Sequence, residues 1–235
     1  LIGASAGGDY EIEQSLRFNK SDTASLMHTP SVASNQRTWT WSGWVKKCGS
    51  NLHHHGLFDA RQTSSGQFSQ FAFNNLDKLQ FYTSMSGVDY SWESLALFRD
   101  PSAWYHIVAV LNTPSSTQQD RFIVYVNGVR QANGNQYGAL DLNVLGWINS
   151  TNPHSIGEVT DGGHHLHGYL SEVNFIDGQA LTPDNFGETG DYGEWKPLEY
   201  EGTYGTNGYY LPFKQDYAVE GFSTVLYEGH GTDGS

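Results

Sequence analysis

Three kinds of side chain in this sequence have the type and spacing to do chemistry. Six of the ten histidines fall in two clusters, His53-His54-His55 and His164-His165-Leu166-His167. In an extended segment residues i and i+2 project from the same side, so His165 and His167 present two imidazoles together, a spacing that suits a transition metal. Three copies of such a pair on a threefold axis would make an octahedral site. No acid or cysteine completes either cluster, and the plainer role is a rim histidine bonded to backbone or water. His106, inside an apolar run, reads as structural. Asp59, Asp89, Asp120, Asp141, Asp161 and Asp177 fall in or beside turns, where carboxylates and backbone carbonyls could hold Ca2+ at a loop rim. None has EF-hand spacing, and turn formation and solubilising charge are the plainer account of them.

Tryptophans are the third kind. Trp92, Trp147 and Trp195 stand in Gly- and Ser-bearing stretches read as loops. An indole there can stack on the apolar face of a sugar while Asn and Asp side chains read the hydroxyls, or it can pack against the core or rim. Hydrolysis makes a sharper demand: a retaining glycosidase needs two carboxyl groups about 5–5.5 Å apart, which on one strand means acids at i and i+2 or i+4. Glu11 and Glu13 have that spacing but lie in a glycine-flanked N-terminal stretch. Glu172 stands alone between Ser171 and Val173, and Asp177 points to the opposite face. No catalytic residue is assigned, and the sequence reads as a non-enzyme, with a glycan-active hydrolase on the same scaffold as the alternative.

The elements that must position these residues are short strands. Thr38 to Lys46 puts Trp39, Trp41 and Val45 on one side and Trp44 on the other, the pattern of a central strand with both faces covered. Trp104 to Asn112 is apolar on both faces and reads as a strand buried between layers. Arg121 to Val126 runs into Asn127-Gly128, the strongest short-range hairpin signal, because a type I′ turn needs positive φ at both central positions. Further extended segments are expected at 15–19, 57–60, 67–73, 78–83, 154–157, 166–177 and 209–213, and within 219–228. Thr182-Pro183 predicts one helical turn, and 187–208 reads as loop. Regular short strands with almost no helix predict an all-β, two-sheet antiparallel jelly-roll sandwich.

Composition agrees. The chain has 235 residues, 37% hydrophobic and 14% aromatic, with 27 glycines and 7 prolines, a globular chain that turns often. Its net charge of −13 repels phosphate backbones and anionic lipid, so nucleic acid is excluded as a partner. No stretch has the roughly 20 apolar residues of a membrane-spanning helix. The lone Cys48 permits no internal disulfide.

Three segments carry a family resemblance. Trp104-Tyr105-His106-Ile107-Val108-Ala109-Val110, the Val124-Tyr125-Val126-Asn127-Gly128-Val129 hairpin and the run Gly168 to Thr182 resemble, in order and spacing, the laminin-G-like, or concanavalin A-like, jelly-roll domains. Ser171 stands where that family's closing motif carries Asp. With 10–18 near the start and 205–213 near the end, the chain is similar to modules of bacteriophage virion proteins: tail fibres, adhesins or capsid decoration. The resemblance implies an N-terminal arm over 1–14, a jelly-roll domain over 15–213 and a C-terminal extension over 214–235 leading into further sequence. It also implies a structural and adhesive module on the virion surface, acting as a homo-oligomer. Its loops would bind host cell-surface polysaccharide or neighbouring virion subunits.

Overall fold

A computed structural model of the chain describes residues 10–49, 53–62, 66–85, 87–159, 163–214 and 222–225. In chain order its strands are β1 (Leu16–Phe18), β2 (Ser25–His28), β3 (Thr38–Lys47), β4 (His55–Arg61), β5 (Phe68–Phe73), β6 (Leu79–Met85), β7 (Val88–Ser94), β8 (Tyr105–Asn112), β9 (Phe122–Val126), β10 (Val129–Arg130), β11 (Asn133–Tyr137), β12 (His154–Ile156), β13 (Glu158–Val159), β14 (His164–His165), β15 (Gly168–Asp177), β16 (Gly187–Thr189), β17 (Trp195–Pro197), β18 (Tyr209–Leu211) and β19 (Phe222–Val225). Helix among the described residues is confined to three 3-10 turns, one of them the expected turn at Pro183–Asn185. No helix among them is long and apolar enough to cross a membrane.

Two antiparallel sheets face each other. The first runs β1-β15-β3-β8-β9-β10, with β18 also on β15, and the second runs β11-β7-β6-β5-β4-β12-β2-β19. Side-chain alternation decides what lies between them. Trp39, Trp41 and Val45 of β3 point inward and are almost fully buried, while Trp44 stays half-exposed on the outer face. Trp39 meets Phe58, Phe81 and Phe175 edge-on or tilted, at centroid distances of 6.2–6.3 Å. Phe81 stacks on Phe122 across the sheets at 4.1 Å. Each such ring removes about 150–250 Å² from water, worth roughly 4–6 kcal/mol at about 25 cal/mol per Å². A smaller cluster, Val108, Val110, Ile176 and Phe186, fills the outer face of the first sheet, so β8 is covered on both sides as its sequence predicts.

The Asn127-Gly128 hairpin forms with φ of 48° and 77°, joining β9 to β10. Two regions differ from expectation. Residues 88–94 are not a loop but β7, paired with β6 and β11; Tyr90, Trp92 and Ser94 alternate inward with Ser91 and Glu93 outward. Residues 187–208 are not all loop either, since Gly187 to Thr189 pairs with Trp195 to Pro197 as a two-stranded ribbon.

Candidate functional site

The structure does not bring together the three tryptophans expected to form a loop platform, and it places two of them in strands. Trp92 lies in β7, 4% exposed, edge-on to Phe122 at 5.8 Å. Trp147 does sit in a loop, but its Nε1–H donates to the Ser84 carbonyl at 2.7 Å and its ring packs on the core. Trp195 opens β17, lies parallel to the His106 ring at 5.9 Å and donates Nε1–H to His106 Nδ1 at 2.9 Å. None of the three stands free as a loop indole, because burial and a satisfied N–H stabilise a tryptophan more than exposure does.

Trp92 nevertheless reaches a cleft. Where the chain crosses from β10 to β11 it passes from one sheet to the other, and a cleft of about 380 Å³ opens between β9–β10 and β7–β11. Tyr90, Trp92 and Phe122 form its floor. Amides form its walls: Gln118 and Gln119 from the 3-10 turn on one side, Gln131, Asn133 and Gln136 on the other. Arg130, the one charged lining residue among those described, is committed to Asp120 Oδ1 at 2.8 Å and to the Gln119 carbonyl at 2.9 Å. Asn133 Nδ2 donates to Gln136 Oε1 at 2.6 Å, and Gln131 Nε2 to the Val129 carbonyl at 2.9 Å. No described residue donates to the side-chain oxygens of Gln131 and Asn133, and the exposed Gln118 and Gln119 amides bond to no described residue. Such a cleft offers an aromatic floor, paired donors and acceptors, and no net charge. It can hold a neutral polyhydroxylated ring.

The histidine clusters do meet, but not as one strand face. His54 stacks on His164 at 4.7 Å, and the His167 N–H donates to His55 Nδ1 at 3.2 Å. Burial, reinforced by His164, pushes the His54 imidazole below its ordinary range. β14 ends at His165, and the Leu166 N–H turns to the Gly157 carbonyl at 2.8 Å, so His165 and His167 are not same-side positions of one strand. Among the described residues no three His, Cys, Asp or Glu side chains converge on a point that could hold a metal, so the transition-metal and Ca2+ expectations find no ligand set there.

The aspartates have other work. Asp177 is buried and accepts from Asn149 Nδ2 at 2.9 Å, Asn207 N at 3.1 Å and Asn35 N at 3.3 Å, pinning three loops. Asp120 holds Arg130, and Asp89 accepts from the Tyr82 hydroxyl at 3.4 Å. Asp59 is buried within β4, Asp141 is exposed, and Asp161 lies outside the described residues. His106 is structural as expected: with Nδ1 accepting from Trp195, its Nε2–H donates to Ser42 Oγ at 2.9 Å.

Sequence reasoning missed the amide walls, whose signal is only a glutamine-rich turn and hairpin exit. It also missed the setting of Glu172, which sits in a β-bulge at φ 50° and accepts from the Tyr10 and Tyr210 hydroxyls at 2.5 and 2.6 Å.

The family model of the concanavalin A-like lectin/glucanases superfamily, laminin-G type, matches residues 19–185. The chain belongs to this superfamily. No curated protein matches the sequence. Among solved structures, a carbohydrate-binding protein described as putative, from Bacteroides ovatus, superposes with a TM-score of 0.54 at 14% identity, over 74% of this chain and 46% of that one. The CBM40 domain of Ruminococcus gnavus IT-sialidase, bound to alpha2,3 sialyllactose, gives 0.50 at 10% identity, over 75% and 96%. Full-length tailspike protein 2 from Escherichia coli O157:H7 bacteriophage CAB120 gives 0.50 at 12% identity, over 73% of this chain and 23% of that one. At these identities the superfamily shares its sandwich with the chain, and a shared sandwich carries no chemistry without a site.

Proposed function

We propose that this superfamily member is a non-enzymatic glycan-binding module of a bacteriophage virion, displayed on the particle surface as a homo-oligomer beside other virion subunits. Its cleft between β9–β10 and β7–β11 retains neutral units of a host-surface polysaccharide. The observation that carries this reading is the pairing of an aromatic floor with the unbonded Gln118 and Gln119 amides in a cleft whose one cation among the described residues, Arg130, is paired with Asp120. Support comes also from the saccharide bound to one structural neighbour and the tailspike identity of another. Recognition by contact needs nothing more: amides replace the water around the ring's hydroxyls, while the buried Trp92 and Phe122 close the cleft beneath it.

A glycan array tests it. The protein retains at least one neutral glycan and releases no oligosaccharide. Gln119→Ala with Gln131→Ala weakens retention by about tenfold or more, equivalent to about 1.4 kcal/mol, without lowering the melting temperature. Released product, silence on every glycan, or unchanged retention by that double variant would each overturn the reading.

A further inference from the structure

The seven tryptophans divide by what their indole N–H groups do. Trp39 and Trp41 are sealed in the core, their N–H groups out of a ligand's reach and bonded to no described residue, Trp92 is buried beneath the cleft described above, and Trp147 and Trp195 spend their N–H groups internally. Trp44 and Trp104 differ from all of these. Both are half-buried on the outer face of the first sheet, and neither N–H donates to any described residue.

They share a second cleft of about 360 Å³ with Glu13, Gln14, Ser171 and Pro197. One wall is the segment 12–15, tied down where Ser171 Oγ donates to the Gln14 carbonyl and anchored further by the Tyr10 hydroxyl on Glu172. The platform is rigid. The Trp44 ring lies on His106 at 5.1 Å and 30°, and both His106 nitrogens are held, by Trp195 and Ser42. Trp104 leans on Tyr169 at 6.4 Å.

We infer that this outer cleft is a second saccharide site, which accepts one or two neutral sugar rings with an apolar face on the indoles of Trp44 and Trp104. The two indole N–H groups and the Gln14 amide would meet hydroxyls. Charge selects this occupant. Glu13 is matched by Lys214 Nζ at 3.3 Å, so nothing in the cleft calls for a cation, and the net charge of −13 disfavours an anion. A purely apolar partner would bury two indole donors without acceptors, a cost a hydroxylated ring avoids. The volume lies at the small end of ordinary ligand sites, roughly 300–1,000 Å³. A platform fixed before binding loses little freedom on binding. The inference extends the glycan reading to a site of its own, so the two can fail separately.

Its test is 15N NMR of the seven indole N–H signals, assigned by single Trp→Phe variants, during separate titrations with maltohexaose, cellohexaose, xylohexaose and mannohexaose. The expected result is progressive shifts of the Trp44 and Trp104 signals with at least one of these, while Trp147 and Trp195 stay in place. Trp104→Ala then weakens that interaction, read at the Trp44 signal, about tenfold or more. Shifts confined to Trp92 would overturn the outer site and keep the first cleft. Shifts confined to Trp44 and Trp104 would sustain the outer site and count against the first. No shift at Trp44 or Trp104 with any of the four overturns the inference.

Discussion

Mild acid should unfold this protein through two buried histidines. Burial takes the His106 imidazole from its ordinary value near 6.5 down to about 3. His154 is taken to about 4 by burial, with His28 adding and its bond to the Asn152 carbonyl opposing. The hydrogen bonds explain why neither ring accepts a second proton in place. His106 Nδ1 accepts from the Trp195 N–H, and His154 Nε2 accepts from the Asn149 backbone N–H at 3.0 Å; a proton on either nitrogen sets donor against donor. Both pKa values are depressed, so the unfolded chain binds protons below about pH 6.5 that the folded chain refuses. Their stability is therefore present above that pH and lost as pH falls toward 4. Each histidine then contributes a slope approaching about 1.4 kcal/mol per pH unit. Between about pH 6.5 and pH 5 the two together cost roughly 3 kcal/mol, a large share of a typical 5–15 kcal/mol. Urea unfolding followed by tryptophan fluorescence across that interval reads the slope directly. His106→Gln and His154→Gln should each remove about half of it. A flat wild-type profile, or variants with the wild-type slope, would refute the argument.

Three further outcomes follow from burial and backbone geometry. Lys47 and Asp77 form an ion pair inside the sandwich, both under 5% exposed, with the Lys47 ammonium 5.5 Å from the Phe73 ring centre. Lys47→Met leaves the buried carboxylate with only the exposed Arg99, 3.5 Å away, and should cost about 3 kcal/mol in chemical denaturation, while adding Asp77→Asn, which tolerates the φ of 61° at that turn, restores most of it. Trp92→Ala empties a core position and should lose about 3–5 kcal/mol, seen in calorimetry as a melting temperature lower by roughly 10 °C; binding loss in that variant alone cannot identify a ligand contact. Gly128→Ala places a Cβ 2.5 Å from Trp195 Cζ3 at a φ of 77°, so the Trp195 indole signal should move in NMR as its bond to His106 breaks.

Much of the sandwich was legible in the sequence because alternation and burial say the same thing in β3 and β8, and because Asn127-Gly128 admits one kind of turn. β7 was equally regular, yet its serines and the preceding glycine disguised a strand as a loop and moved Trp92 to the wrong environment. The ribbon of β16 and β17 depends on Trp195 finding His106, a partner 89 residues away, which no local pattern encodes. The same holds for the site. Gln118, Gln119, Gln131 and Asn133 are unremarkable turn and strand-exit residues until the crossover from β10 to β11 gathers them above Trp92. His165 and His167 do not share a strand for a local reason: β14 ends at His165.

Sugar bound in the cleft beside β7 and β10 can be seen in a crystal. A crystal soaked with the best glycan from the array is the most direct measurement. Density for a ring over Trp92, within hydrogen-bonding reach of Gln119 and Gln131, is the predicted result; an empty cleft with sugar bound elsewhere on the surface would contradict it.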